Sequence, residues 1–167
     1  MSGFTKFLVA ATVCFAGSAY ADEAEFLQSL DGNWRGSGTV AVRADASPMK
    51  VSCNLATDAT ASSLSLDGKC TSLAVFSRVI GADLDVRGDR YVGSYVGAGT
   101  GTAGLSGKRS GNTIDLGIRW AKDVNGDRAA KMTIEKVGET GMRLTTTDTH
   151  PATGKSIVTS RIDLRRS

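Results

Sequence analysis

From Trp34 onward the chain repeats one pattern: short runs of alternating apolar and polar residues, broken by Gly, Asn, Asp and the only two prolines. Alternation with period two sends one set of side chains to one sheet face, so it commits the chain to half-buried strands rather than helices. Val40 and Val42 alternate with Thr39, Ala41 and Arg43, ahead of a turn at Asp45-Ala46-Ser47-Pro48. Met49, Val51, Cys53 and Leu55 then share a face, and Leu64 and Leu66 lead through Asp67-Gly68 to Cys70. Leu84 and Val86 precede Arg87-Gly88-Asp89, from which Tyr91 to Val96 returns, and Thr100 to Lys108 reads as a strand of small residues. Ile114, Leu116, Ile118 and Trp120 give the cleanest alternation in the chain. Asn125-Gly126 is a strong hairpin turn into Met132 and Ile134, and Gly138 to Gly141 turns into Met142, Leu144 and Thr146. Ile157 to Leu164 ends the series.

These runs predict an all-β fold of about eight to ten short antiparallel strands in up-and-down order. Closing such a meander into a barrel removes its exposed edges, which makes a barrel the expected architecture and a β-sandwich the alternative. Helical spacing occurs once, where Phe26, Leu27 and Leu30 share a face within Glu23 to Leu30, so a short N-terminal helix precedes the barrel.

Residues 1–21 read as an export leader. Lys6 supplies the positive start, Phe7 to Ala16 a short apolar core, and Ala19-Tyr20-Ala21 a small-x-small cleavage site before Asp22-Glu23. The apolar core is too short to span a bilayer, and Val13 before Cys14 does not suit lipid attachment. The expected working protein is one domain over residues 22–167, periplasmic or secreted, with no integral membrane segment after cleavage. Two cysteines remain in it, Cys53 and Cys70. An even count in an oxidising compartment favours a structural disulfide, worth about 3 kcal/mol for a loop of this length. The formal net charge of +3 falls closer to neutral once Lys6 is lost, and only Lys108-Arg109 and Arg165-Arg166 cluster. A nucleic-acid or polybasic membrane footprint is therefore not expected.

Leu30-Asp31-Gly32-Asn33-Trp34-Arg35-Gly36-Ser37-Gly38 resembles the Gly-x-Trp opening of calycin-type barrels, meaning lipocalins, avidins and their bacterial relatives. The resemblance implies that Gly32 and Trp34 open the first strand after a short helix. It also implies that Trp34 plugs one barrel end and that an Arg of the last strand packs across it. Arg161 and Arg165 are the matches on the closing strand, with Arg161 preferred by position. The chain also resembles a group of small exported alphaproteobacterial proteins, a likeness that brings no activity with it. A calycin-like barrel implies room for a small, largely apolar ligand.

Several motifs offer chemistry that their context does not support. Gly99-Thr100-Gly101-Thr102-Ala103-Gly104 matches the dinucleotide fingerprint, but that site needs a helix N-terminus after it, and here a strand follows. Asp123, Asn125 and Asp127 have alternate oxygen spacing, yet Gly126 falls at the fourth position of such a loop rather than the sixth that calcium binding needs, and an Asx-stabilised turn explains them. Arg87-Gly88-Asp89 is ordinary turn chemistry. His150 is the only histidine and precedes Pro151 in a turn, so neither a zinc site nor a catalytic triad is expected around it. Asp83 and Asp85 share a strand face opposite Leu84 and Val86, which turns both to water.

What remains is aromatic and sulfur-bearing: Trp34, Tyr91, Tyr95, Trp120, Met132 and Met142 are the candidate lining of a pocket. The expected function is an exported non-enzymatic binding protein that holds a small hydrophobic or amphiphilic ligand, with no cofactor and no metal. The alternative is an envelope inhibitor or accessory factor whose barrel is filled and whose partner is another protein.

Overall fold

The computed structural model describes residues 18–72 and 76–167. The leader expected over residues 1–21 lies outside them except for Ser18 to Ala21, which begin helix α1 (Ser18–Gln28). Ten strands follow: β1 (Gly32–Val40), β2 (Met49–Ala59), β3 (Ser63–Ser72), β4 (Phe76–Arg87), β5 (Arg90–Val96), β6 (Ala103–Ser110), β7 (Thr113–Val124), β8 (Asp127–Val137), β9 (Gly141–Thr149) and β10 (Ser156–Arg166). Each pairs antiparallel with its sequence neighbours, and β1 also pairs with β10, which closes the barrel. The expected all-β meander behind a short helix is therefore the observed fold, at the upper end of the expected strand number.

Three boundaries differ from the sequence reading, each for a local reason. Helix α1 ends at Gln28, and Leu30 completes a turn by donating its amide to the Leu27 carbonyl at 2.9 Å. β4 begins at Phe76, well before Leu84, because the preceding sequence is apolar on both parities and hides the alternation. β6 begins at Ala103 rather than Thr100, since Gly99 (φ +75°) and Gly101 (φ +102°) hold the preceding segment in a loop.

The two barrel ends differ. At the end where β1 starts, α1 lies across the opening and buries Phe26, Leu27 and Leu30 in the same apolar core as Trp34. The helix is also held by charge. Arg109 Nε donates to Glu23 Oε2 at 2.9 Å, Arg109 also pairs with Asp22, and its guanidinium lies 4.7 Å over the Phe26 ring. The Tyr91 hydroxyl donates to Glu23 from beneath. Trp34 is 1% exposed, and its Nε1 donates to the Leu30 carbonyl at 3.2 Å and to Thr57 Oγ1 at 2.9 Å.

An arginine of the last strand does lie across Trp34, but it is Arg166, with its guanidinium 4.6 Å from the ring, and not Arg161. Parity explains the correction. Ile162 and Leu164 face inward, so Arg166 continues their face, while Arg161 and Arg165 point out and Arg161 lies 3.8 Å from Asp163. Arg166 also donates to the carbonyls of Asp31 and Ser29, tying the last strand to the chain entering β1. Gly32 has φ +123°, a backbone conformation that favours glycine, and a Cβ there would lie 2.5 Å from Arg166 Nη1 and push aside the end of that side chain.

Cys53 and Cys70 face each other across β2 and β3 and form a disulfide on the inward face, as expected. Arg166→Ala removes a cation–π contact and two hydrogen bonds to carbonyls and is expected to cost about 1–2 kcal/mol. Arg161→Ala is expected to stay within about 0.5 kcal/mol of the parent. Urea unfolding of both variants checks the assignment, and equal effects would remove Arg166 from its role.

Candidate functional site

At the end opposite α1 the barrel holds a cavity of about 350 Å³. Its walls are the inward residues of the outer strand halves, among them Val51, Leu66, Ile80, Met132, Ile134 and Ile162. Its mouth lies among the β1–β2 segment, the β5–β6 loop and the β7–β8 turn. Ligand pockets of this kind run from about 300 Å³ upward and are mostly apolar with a few placed polar groups.

Three of the six candidate lining residues meet here. Tyr95, Trp120 and Met132 line the cavity, with the Tyr95 and Trp120 rings 6.1 Å apart and tilted by 58°. The other three do not line it. Trp34 is the plug of the opposite end, Tyr91 is 2% exposed beneath α1, and Met142 pairs with Leu164 in the filled half of the core. All six face inward, as alternation requires, but depth along the barrel separates them.

Polar groups at the mouth were not legible as site residues. Asp148 is buried and continues the inward face of Met142, Leu144 and Thr146. Its carboxylate accepts from Asn125 Nδ2 at 2.6 Å and from the Thr149 amide at 2.7 Å. Asn125 Oδ1 in turn accepts from the Ala44 amide at 2.8 Å, which fastens the β1–β2 segment to the β7–β8 turn. Asn125 (φ +58°) and Gly126 (φ +96°) are both left-handed, as a two-residue hairpin turn demands. Across the mouth Arg78 lines the cavity and donates Nη1 to the Gly97 carbonyl at 3.0 Å, which anchors the β5–β6 loop. The inward spacing of Arg78, Ile80 and Ala82 was the available signal, hidden by the missed start of β4.

The remaining motifs fall where their turn chemistry puts them. Gly99 to Thr102 lie in the β5–β6 loop, and a strand follows them, not a helix. Asp127 Oδ1 accepts from the Ala129 amide at 2.8 Å, the Asx arrangement. His150 begins the β9–β10 connection, where its Nδ1 accepts from the Ala152 amide at 3.2 Å. Asp83 and Asp85 are exposed on the outer face, and Asp83 accepts from Ser65 Oγ at 2.7 Å.

The chain is thus a ten-stranded up-and-down barrel, plugged at one end and hollow at the other. Among solved structures it is similar to Rv2717c from M. tuberculosis, with a TM-score of 0.67 over 87% of this chain and 97% of that one. The two share 14% sequence identity, so the likeness is one of fold. No protein-family model matches the chain, and no curated protein matches it.

The two inward tyrosines carry the perturbed titrations of the interior. Burial raises both hydroxyls above the ordinary 10.0, with the Glu23 hydrogen bond and charge adding to the rise at Tyr91 and the Arg78 charge opposing it at Tyr95. The folded state keeps both protonated, so this stabilisation is fully present below pH 10 and is lost as pH rises through the higher folded values. Tyrosinate absorbance is expected to appear only together with unfolding, with Tyr91→Phe and Tyr95→Phe assigning each contribution. Reversible ionisation near pH 10 in the folded protein would contradict the burial of these hydroxyls.

Proposed function

We propose that this chain is an exported, non-enzymatic binding protein that holds a small hydrophobic or amphiphilic molecule inside its barrel. The observation that carries the reading is the apolar cavity of about 350 Å³ with a polar mouth. A barrel that acted only through its outer surface would have no reason to keep this volume unfilled, since close packing is the norm in protein interiors. Binding here works by burial and shape, with Tyr95 and Trp120 offering flat faces and Met49 and Met132 adapting to the ligand's outline.

Two features support export. Residues 1–21 have the order of a cleavable leader, and the Cys53–Cys70 bond suits an oxidising compartment. Groups able to react are engaged in structure: Cys53 and Cys70 in the disulfide, Asp148 in the mouth network, and Glu23 with Arg109 under the helix. The mature protein from its own envelope is expected to begin at Asp22 and to lack both thiol hydrogens in its intact mass. A chain that keeps residues 1–21 would remove the export reading.

The binding reading is tested with the apolar fluorophore N-phenyl-1-naphthylamine. One saturable site is expected, with quenching of Trp120 and little change at Trp34. Ala82→Phe puts a ring into the cavity wall and is expected to weaken the probe by at least about tenfold while the barrel stays folded by circular dichroism. Absence of saturable binding by the wild-type protein would overturn the proposal.

A further inference from the structure

Basic charge and exposed apolar surface both concentrate at the hollow end of the barrel. Counted over the connections and the four outermost residues of each strand, that end carries seven basic and four acidic residues. The opposite end, with α1 included, carries nine basic and eleven acidic residues. Pairing sharpens the contrast. Among the described residues, Lys50, Lys69, Lys122, Arg128 and Lys155 are exposed at the hollow end with no carboxylate in ion-pair distance, and Arg43–Asp45 is the one ion pair there. Of the acidic residues, Asp45 is held by Arg43 and Asp148 is buried in the mouth network, which leaves Asp123 and Asp127 exposed. Four of the five large apolar side chains exposed among the described residues stand at the same end: Val42, Val79, Val96 and Val158, between 46% and 66% exposed. Val42 and Val158 follow the point where the Ala41 amide donates to the Thr159 carbonyl at 2.7 Å. Val79 and Val96 share the outer face of β4 and β5, which the strand order sets on the other side of the mouth. A single exposed valine is ordinary on a protein surface, whereas four about one opening form a patterned rim.

We propose that this end of the barrel docks, mouth first, on a lipid bilayer with an anionic surface. Two contributions add there: the basic side chains meet lipid phosphates, and the valines enter the interface between them. An acidic protein or nucleic-acid surface would match the charge but would offer the valines no apolar phase. A second copy joined through the same end would set like charges against each other. The unpaired basic residues come from β2, β3, β7, β8 and the β9–β10 connection, so the footprint forms only in the fold and leaves no basic cluster in the sequence. Docking sets the cavity opening against a source of amphiphiles, but it does not depend on the cavity being a ligand site.

The test is co-sedimentation of the mature protein with vesicles of phosphatidylcholine alone and of phosphatidylcholine mixed with phosphatidylglycerol. Binding to the mixed vesicles is expected, with release by raised salt and at least about tenfold weaker binding to the neutral ones. The variant Lys50→Gln, Lys122→Gln, Lys155→Gln is expected to lose at least about tenfold in affinity for the mixed vesicles. A charge-matched control at the α1 end, Arg35→Gln, Arg90→Gln, Arg165→Gln, is expected to change it by no more than about twofold, since these exposed residues face away from the bilayer. Val79→Ser with Val158→Ser keeps every charge and is expected to cost about fivefold through the lost apolar contact. All of these substitutions are at exposed positions, so the barrel stays folded by circular dichroism. Equal losses in the two triple variants, or no preference for the mixed vesicles, overturn docking through this face. A wild-type dimer in sedimentation velocity that the two valine substitutions dissociate gives the rim to a second copy and overturns it as well. N-phenyl-1-naphthylamine binding is read without vesicles, so failure of docking and failure of the cavity proposal are told apart.

Discussion

Closure of β1 on β10 is the constraint from which the rest of the molecule follows. A closed sheet satisfies every strand edge, but it fixes the interior width by strand number, and eight strands are already just fillable by side chains. With ten, the inward residues cannot meet across the barrel along its whole length. The chain resolves this unequally. One half is filled by Trp34, Tyr91, Leu64, Ile114 and Met142, with α1 laid across the end, and the other half stays hollow.

The filled half has to stabilise both. A dry void of about 350 Å³ would cost on the order of 8 kcal/mol at about 24 cal/mol per Å³, comparable with the net stability of a domain. The mouth lets water share that cost, and an apolar occupant offsets more of it. The compensating interactions are concentrated away from the cavity: the Arg109–Glu23–Tyr91 cluster under the helix, the Arg166 contact over Trp34, and the Trp34–Thr57–Leu30 hydrogen bonds. At the hollow end the stabilising contacts belong to the rim, where Asn125 links Ala44 to Asp148 and Arg78 holds Gly97. A barrel arranged this way has a rigid frame and a replaceable interior.

Parity along the strands was legible in the sequence, and depth was not. Alternation put Tyr91 and Tyr95 on one face correctly, yet four residues at about 3.3 Å each separate them by roughly 13 Å along the strand. That distance carries Tyr91 under the helix and leaves Tyr95 in the cavity. Met132 and Met142 part for the same reason, since Met132 pairs with Thr146 near the hollow half and Met142 with Leu164 in the filled one. Depth depends on register between strands, which no single strand encodes. The choice of Arg161 over Arg166 had a different origin: inward parity on β10 follows Ile162 and Leu164, and position along the strand was the wrong guide. Trp34 was legible because its helix-then-strand context is local.

The two tryptophans show how one side chain serves the two halves differently. Each brings a large apolar ring and a single donor, and burying either is favourable only if the donor finds an acceptor. At the plug the backbone turn after α1 and Thr57 provide acceptors, so Trp34 is complete within the protein and fixes the barrel's closed end. At the cavity, Asp148 spends its carboxylate on Asn125 and the Thr149 amide, and the nearby Arg78 offers only donors. Trp120 lines the cavity, and its Nε1 is buried without a partner in the protein. Affinity at the cavity then comes from the area that the Trp120 ring and its neighbours bury.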